Sequence, residues 1–227
     1  MVYIPKGPCL YGSREDDKEA NQNEKPQQTI DLDAFYMDKY PVTNEQYCLF
    51  LNETNPSKKD REKWIELSGS FEKEKCRIIP EGKLYTVEPG FERYPVIYVT
   101  WYGAAEYADW AGKRLPTEKE WEKAARGPEG LKYPWGNEWK EEVCNSKESG
   151  IGMTIKVDQF PGGKSIYGCF DMAGNVWEWT ASKYGKSTYT VRGGAWYSTL
   201  DDCRCAIRGY FNPHYWYDDL GLRCART

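Results

Sequence analysis

Few side chains in this chain of 227 residues stand where they could do chemistry, and most of those fall near the C-terminus. The only histidine, His214, lies in the run GYFNPHYWYDD (residues 209–219), beside the acids Asp218 and Asp219 and five rings: Tyr210, Phe211, Tyr215, Trp216 and Tyr217. One histidine cannot supply the clusters that most zinc and non-haem iron sites use, and no CxxC pair occurs. Just upstream, CRC sets Cys203 and Cys205 two positions apart, and in a strand such positions share a face. Two thiolates there could hold a soft ion such as Cu(I); equally, they could be two small residues on the core side of a strand. As a set, the eight cysteines read as mostly reduced, buried thiols. A chain of this length needs no disulfide framework, and free cysteine is among the most buried residue types.

The chemistry that suits residues 209–219 better is recognition. Tyr, Ser, Gly and Asn with an occasional Trp is the composition of a binding surface: rigid amphipathic rings give contact area at low entropic cost, and small polar residues adapt their hydrogen bonds. Burying one ring removes about 150–250 Å² from water, and several exposed rings make an apolar patch that promotes association. The alternative is that the rings fill the core of a fold with few helices. The polar residues interleaved in FNPHY and YDD place them instead on loops and edges.

The elements that must position this run are partly marked. Alternation of Ile30, Leu32, Ala34 and Tyr36 in TIDLDAFYMDKYPVT predicts a half-buried strand. Thr43 and Gln46 form a capping box that opens a helix over NEQYCLFLNET, with Tyr47, Phe50 and Leu51 on its inner face. A second helix covers WYGAAEYADWAG and stops at Gly112. A third starts at the Thr117/Glu120 capping box, buries Trp121, Ala124 and Ala125, and ends at Gly127 and Pro128. The charged, turn-rich residues 55–90 read as an excursion with short strands and little function. Two or three helices followed by an irregular, β-rich half indicate an α+β fold. No linker, repeat or low-complexity tract interrupts residues 1–227, which read as a single domain.

Composition excludes several partners. The net charge is −4 and the basic residues are scattered, so nucleic acid is not expected. No run approaches the roughly 18 apolar residues of a membrane span, and MVYIPKGPCLYGS lacks the features of a signal peptide. Membrane insertion is not expected, and the compartment stays open.

The blocks RLPTEKEWEKAAR (114–126), YPWGNEW (133–139), YGCFDMAGNVWEWT (167–180), VRGGAW (191–196) and LGLRCAR (220–226) follow YIPKGPCLYGS in order. Together they resemble the formylglycine-generating-enzyme, or sulfatase-modifying-factor, domain. The resemblance implies a C-type lectin fold of the formylglycine-generating-enzyme subtype, with little regular secondary structure. Enzymes of that family oxidise a sulfatase cysteine with O₂ at a Cu(I) ion held by two cysteines, four residues between them, shortly after an RGGSW motif. Here YSTLDDCRCAIR follows Trp196, and Ser198 matches the first cysteine. A serine hydroxyl stays protonated near neutral pH and is a hard donor, so copper is not expected. A copper-dependent oxidase is the alternative function, and it would need a site built from Cys203 and Cys205.

Relatives in the family also hold Ca²⁺. Carried over, its ligands are the side chain of Asp171, the carbonyls of Gly174 and Val176, and Glu178, an oxygen-only set suited to a hard ion. For Glu178 the equal alternative is a buried carboxylate hydrogen-bonded to backbone amides. A second family site would use Asn145 and Ser146, with no acidic residue at the matching place near Ser149. Trp177 and Trp179 read as scaffold, and Gly174, Gly193 and Gly194 as positions where φ is positive or a Cβ would clash.

The segment from RGGAW to LGLRCAR, about residues 192–223, also resembles the variable region of the target proteins of diversity-generating retroelements, ligand-binding proteins built on this lectin-type fold. In those systems adenine-directed mutagenesis rewrites chosen codons, commonly AAC or AAT. The changed codons can encode Tyr, Ser, Asp, Asn, His, Phe, Gly, Ile, Thr or Leu, but never Lys, Glu, Gln, Met or Trp. No Lys, Glu, Gln or Met stands between Arg192 and Thr227. The positions between the family's fixed residues hold Tyr197, Ser198, Asp201, Asp202, Ile207, Gly209, Tyr210, Phe211, Asn212, His214, Tyr215, Tyr217, Asp218 and Asp219, all within that set. Trp216 is the exception. These residues, Trp216 included, are the expected ligand-binding surface. The partner would be a protein or other macromolecule, and no residue is assigned to catalysis.

Overall fold

The computed structural model of the chain describes residues 1–71 and 74–227. Its first strands are β1 (Val2–Ile4), β2 (Gly7–Tyr11), β3 (Gln28–Leu32) and β4 (Phe35–Met37). The single strand expected over residues 30–36 is therefore two, and the burial phase changes between them. Phe35 and Met37 are buried while Tyr36 is exposed. Asp33 and Ala34 carry the chain from a hairpin with β2 into a different sheet, which breaks the alternation.

The capping signals act as expected. In α1 (Asn44–Thr54) the Thr43 and Gln46 side chains exchange hydrogen bonds with each other's backbone, and Tyr47, Phe50 and Leu51 are buried. Residues 55–90 hold the expected short strands and, ahead of them, a helix that was not expected. They contain α2 (Lys58–Trp64), which buries none of its residues and so shows no apolar stripe in the sequence. Two hairpins follow, β5 (Ser70–Phe71) with β6 (Glu74–Lys75) and β7 (Ile78–Glu81) with β8 (Leu84–Val87). Thr100 caps α3 (Trp101–Trp110), and Gly112, at φ +65°, lies just beyond its end. The Thr117/Glu120 box opens α4 (Glu118–Arg126), with Trp121, Ala124 and Ala125 inside.

The second half carries β9 (Trp177–Tyr184), β10 (Thr188–Arg192), β11 (Gly209–Phe211), β12 (Leu220–Leu222) and β13 (Ala225–Arg226), joined by long irregular segments. β11, β10, β9 and β12 form one sheet in that order, with β12 parallel to β9 and the other pairs antiparallel. A second sheet, β1-β4-β13, joins the two ends of the chain through β4. Gly174, Gly193 and Gly194 all have positive φ, and a Cβ on Gly174 would lie 2.2 Å from the Asn145 carbonyl oxygen.

Buried ion pairs fasten the C-terminal segment to the rest. Glu178 accepts from the Arg223 guanidinium at 2.6 and 2.8 Å and from the Trp121 indole at 2.6 Å. Glu122 takes both Arg192 and Arg126. Glu24 takes Arg204 at 2.7 and 2.9 Å. Removing one member of such a pair strands a desolvated charge, which makes these contacts rigid fixtures.

Candidate binding face

β11 and the loop that follows it bring the aromatic run to the surface on a fixed backbone. The Trp101 N–H donates to the Pro213 carbonyl at 3.2 Å, and the Tyr98 N–H to the Tyr217 carbonyl at 2.9 Å. The Asn212 side chain accepts from the His214 N–H at 3.0 Å, closing the turn. Outward from this backbone stand Tyr210, Tyr215, Trp216 and Tyr217, with exposures of 47%, 52%, 40% and 38%. Each ring is braced by another. Tyr210 stacks on Tyr184 at 4.2 Å, Tyr217 leans on the half-buried Phe211 at 5.1 Å, and Trp216 on Tyr98 at 5.8 Å. His214 lies 4.8 Å from the Tyr102 ring. Rings held in this way lose little further freedom on binding.

Residues 214–218 line a cleft of about 820 Å³. The remaining lining comes from Glu66, Ser68, Gly69, Ser70 and Phe71, with Tyr98. The stretch from which little function was expected therefore supplies five of the eleven residues that line this cleft. Its fit is close: a Cβ on Gly69 would stand 2.3 Å from the Tyr98 ring. No local pattern announces this, because the two sides meet only in the folded chain.

Tyr197 is exposed and donates its phenol to Asp219 Oδ2 at 2.8 Å. Asp201 and Asp202 are exposed on a short 3₁₀ turn, Leu200–Cys203, while Gly209, Asn212 and Asp218 are half-buried. Three of the expected surface residues are not on the surface. Ser198, Ile207 and Asp219 are buried. Ser198 Oγ accepts from the Ala195 N–H at 2.9 Å, and its carbonyl accepts from the Lys147 N–H, so this side chain shapes a turn. Asp219 lies beneath Tyr197, and burial pushes its carboxyl up to about 6 against the opposing hydrogen bond.

The two cysteines of CRC do not share a strand face. Cys203 ends the 3₁₀ turn and Cys205 lies beyond it, in the cluster of Trp121, Ala124 and Met172. Burial raises the Cys205 thiol to about 12, which disfavours the thiolate a metal would need. All eight cysteines are buried and none is in a disulfide.

At the calcium positions the fit is uneven. Asp171 Oδ2 is buried without a hydrogen-bond partner, and burial pushes the carboxyl up to about 8, so this oxygen has no hydrogen bond to give up to a cation. Glu178 is bound to Arg223 and Trp121 rather than to backbone amides, and only Oε1, with a single donor, keeps a lone pair to spare. Among the described residues, no three His, Cys, Asp or Glu side chains are grouped as metal ligands. An ion here would lean on the Gly174 and Val176 carbonyls.

A family model described as the sulfatase-modifying factor enzyme 1-like domain matches residues 1–227. The chain belongs to that family. It is 39% identical to the serine/threonine-protein kinase pkn1 of Chlamydia caviae over all of this chain and 38% of that one. The chain thus spans well under half the length of that relative. The inactive C-alpha-formylglycine-generating enzyme 2 of Mus musculus is 32% identical, over 100% of this chain and 85% of its own. Among solved structures, PvdO from Pseudomonas aeruginosa superposes with a TM-score of 0.79 at 23% identity, covering 100% of this chain and 93% of PvdO. The Treponema denticola variable protein 1 gives 0.71 at 22%, covering 100% and 94%. The chain has the C-type lectin fold of the formylglycine-generating-enzyme subtype. No helix among its described residues is long and apolar enough to cross a membrane.

Proposed function

We propose that this chain is a ligand-binding member of its family, and that residues 197–218 form a diversified recognition surface for a protein or other macromolecule. The observation that carries the reading is the braced group Tyr215, Trp216 and Tyr217, exposed together on a cleft of about 820 Å³, with Tyr210 exposed on the adjoining strand β11. An apolar surface of this kind on a rigid backbone is costly to leave in water and well suited to association. The likeness to a variable protein of Treponema denticola supports the same reading. Ser198, Ile207 and Asp219 are then supports beneath the surface. The reading assigns no catalytic residue, and Asp171 with the Gly174 and Val176 carbonyls is the proposed structural calcium set, assisted by Oε1 of Glu178.

Deep sequencing of the gene's 3′ end across a growing population tests the diversification directly. Substitutions confined to adenines in codons of the 197–219 segment, with a near-copy of that region beside a reverse-transcriptase gene, support it. A uniform background and no such copy end that part of the reading.

A further inference from the structure

Two of the eight buried cysteines stand together, and they come from different segments. The Cys203 thiol has the Cys144 thiol as its neighbour, and that neighbour, with burial, raises it well above the ordinary range. The backbones on either side are stapled to each other. The Lys147 N–H donates to the Ser198 carbonyl at 2.9 Å, and the Leu200 N–H donates to Glu148 Oε1 at 3.0 Å. Cys203 has little room to turn away, since a Cβ on Gly194 would stand 3.3 Å from its Sγ. Cys144 differs in access: it lines a cleft of about 260 Å³ with Glu141, Glu142, Ser146 and Glu148 among its neighbours. Cys144, at 5% exposure, borders this cleft, while Cys203 is fully enclosed.

We propose that Cys144 and Cys203 are a modification site, a thiol pair that closes reversibly to a disulfide with Cys144 meeting the oxidant. The oxidant class is a small organic disulfide. The Cys144 thiolate attacks one of its sulfurs and expels the other as a thiolate, leaving a mixed disulfide on Cys144. Cys203 then gives its proton to solvent and displaces the second small thiol, so that the new S–S bond joins Cys203 to Cys144. The protein loses two electrons and two protons, and the small disulfide becomes two thiols. Three glutamates and no lysine or arginine line the entrance, so a cationic disulfide enters faster than an anionic one. The bond would fix the 144–148 segment to the turn that carries Asp201 and Asp202, and this inference is independent of what the aromatic face binds.

The test treats the full chain with cystamine, or separately with glutathione disulfide, and maps its peptides by mass spectrometry without reduction. The expected result is one crosslink, between the peptides holding Cys144 and Cys203. It is reversed by dithiothreitol and forms several-fold faster with cystamine. The oxidised chain melts several degrees higher than the reduced one, a gain absent in Cys144→Ala and Cys203→Ala. Since a buried cysteine-to-alanine change costs stability by itself, the wild-type peptide map decides. Crosslinks between other cysteines, or Cys144 stopping at a mixed disulfide, would overturn the proposal.

Discussion

Tyr215 and Tyr217 are side chains whose loss the fold can absorb. Both are exposed at the rim of the cleft, so Tyr215→Ala or Tyr217→Ala should change stability by no more than about 0.5 kcal/mol. Calorimetric melting of the variants checks this, and the same variants should lose capture of any partner that the wild-type chain retains. Unfolding of either variant would mean that the rings are core. Asp219 behaves differently because it is buried, and its carboxyl lies near 6 in the folded chain. A folded-state value raised above the unfolded one favours the protonated native state. Its stabilising contribution is full below about pH 4 and is lost as the pH rises through about 6, a span worth roughly 3 kcal/mol. Asp219→Asn should flatten stability over that interval, measured by denaturant unfolding from pH 4 to 7. Tyr197→Phe, which removes a donor to the ionised carboxylate, should move the loss to higher pH. The composition of residues 197–219 shows that rings are destined for a surface. It does not separate Ser198, Ile207 and Asp219 from their neighbours, because an irregular loop has no period that alternates inside with outside.

At the scale of elements, helix starts were legible because a capping box is local: Thr43 with Gln46 and Thr117 with Glu120 need only their own turn. α2 was not, having no buried face to imprint on the sequence. The contribution of residues 66–71 to the cleft was also hidden, since it depends on a non-local contact between Gly69 and Tyr98. That contact makes Gly69→Ala informative. The new methyl group has no space beside the Tyr98 ring, so the segment or the ring must move, and overpacking of this kind typically costs 1–3 kcal/mol. If the cleft is the recognition site, partner binding falls in Gly69→Ala by more than melting alone accounts for, as titration calorimetry at a temperature well below the melt would show. Phe71→Ala separates the two effects, because that ring is exposed and its loss should spare stability.

Across the whole molecule, the order of the family blocks in the sequence was enough to place the chain in its family, while the ties that hold those blocks together in space were not visible. Trp121 and Glu178 lie far apart in sequence and meet at 2.6 Å, in the same buried system as Arg223 and beside Asp171. A calcium ion at Asp171 and the two carbonyls would bind only the folded chain. At a calcium concentration 100 times its dissociation constant it would stabilise by about 2.7 kcal/mol. Thermal melts with calcium and with a chelator should differ accordingly, and Asp171→Asn should abolish the difference. No shift in the wild type would leave Asp171 as a protonated buried carboxyl.

Three arginines of the C-terminal segment carry a last consequence. Arg192, Arg204 and Arg223 each reach a buried glutamate supplied by another part of the chain, Glu122, Glu24 and Glu178. The polypeptide between the second and third of these anchors is held at its ends and again in its middle, by the pairing of β11 with β10 and by the Pro213 and Tyr217 carbonyls. A change of length between Phe211 and Leu220 would break those backbone bonds, whereas a change of side chain would not, so the face is open to substitution on a path that stays constant.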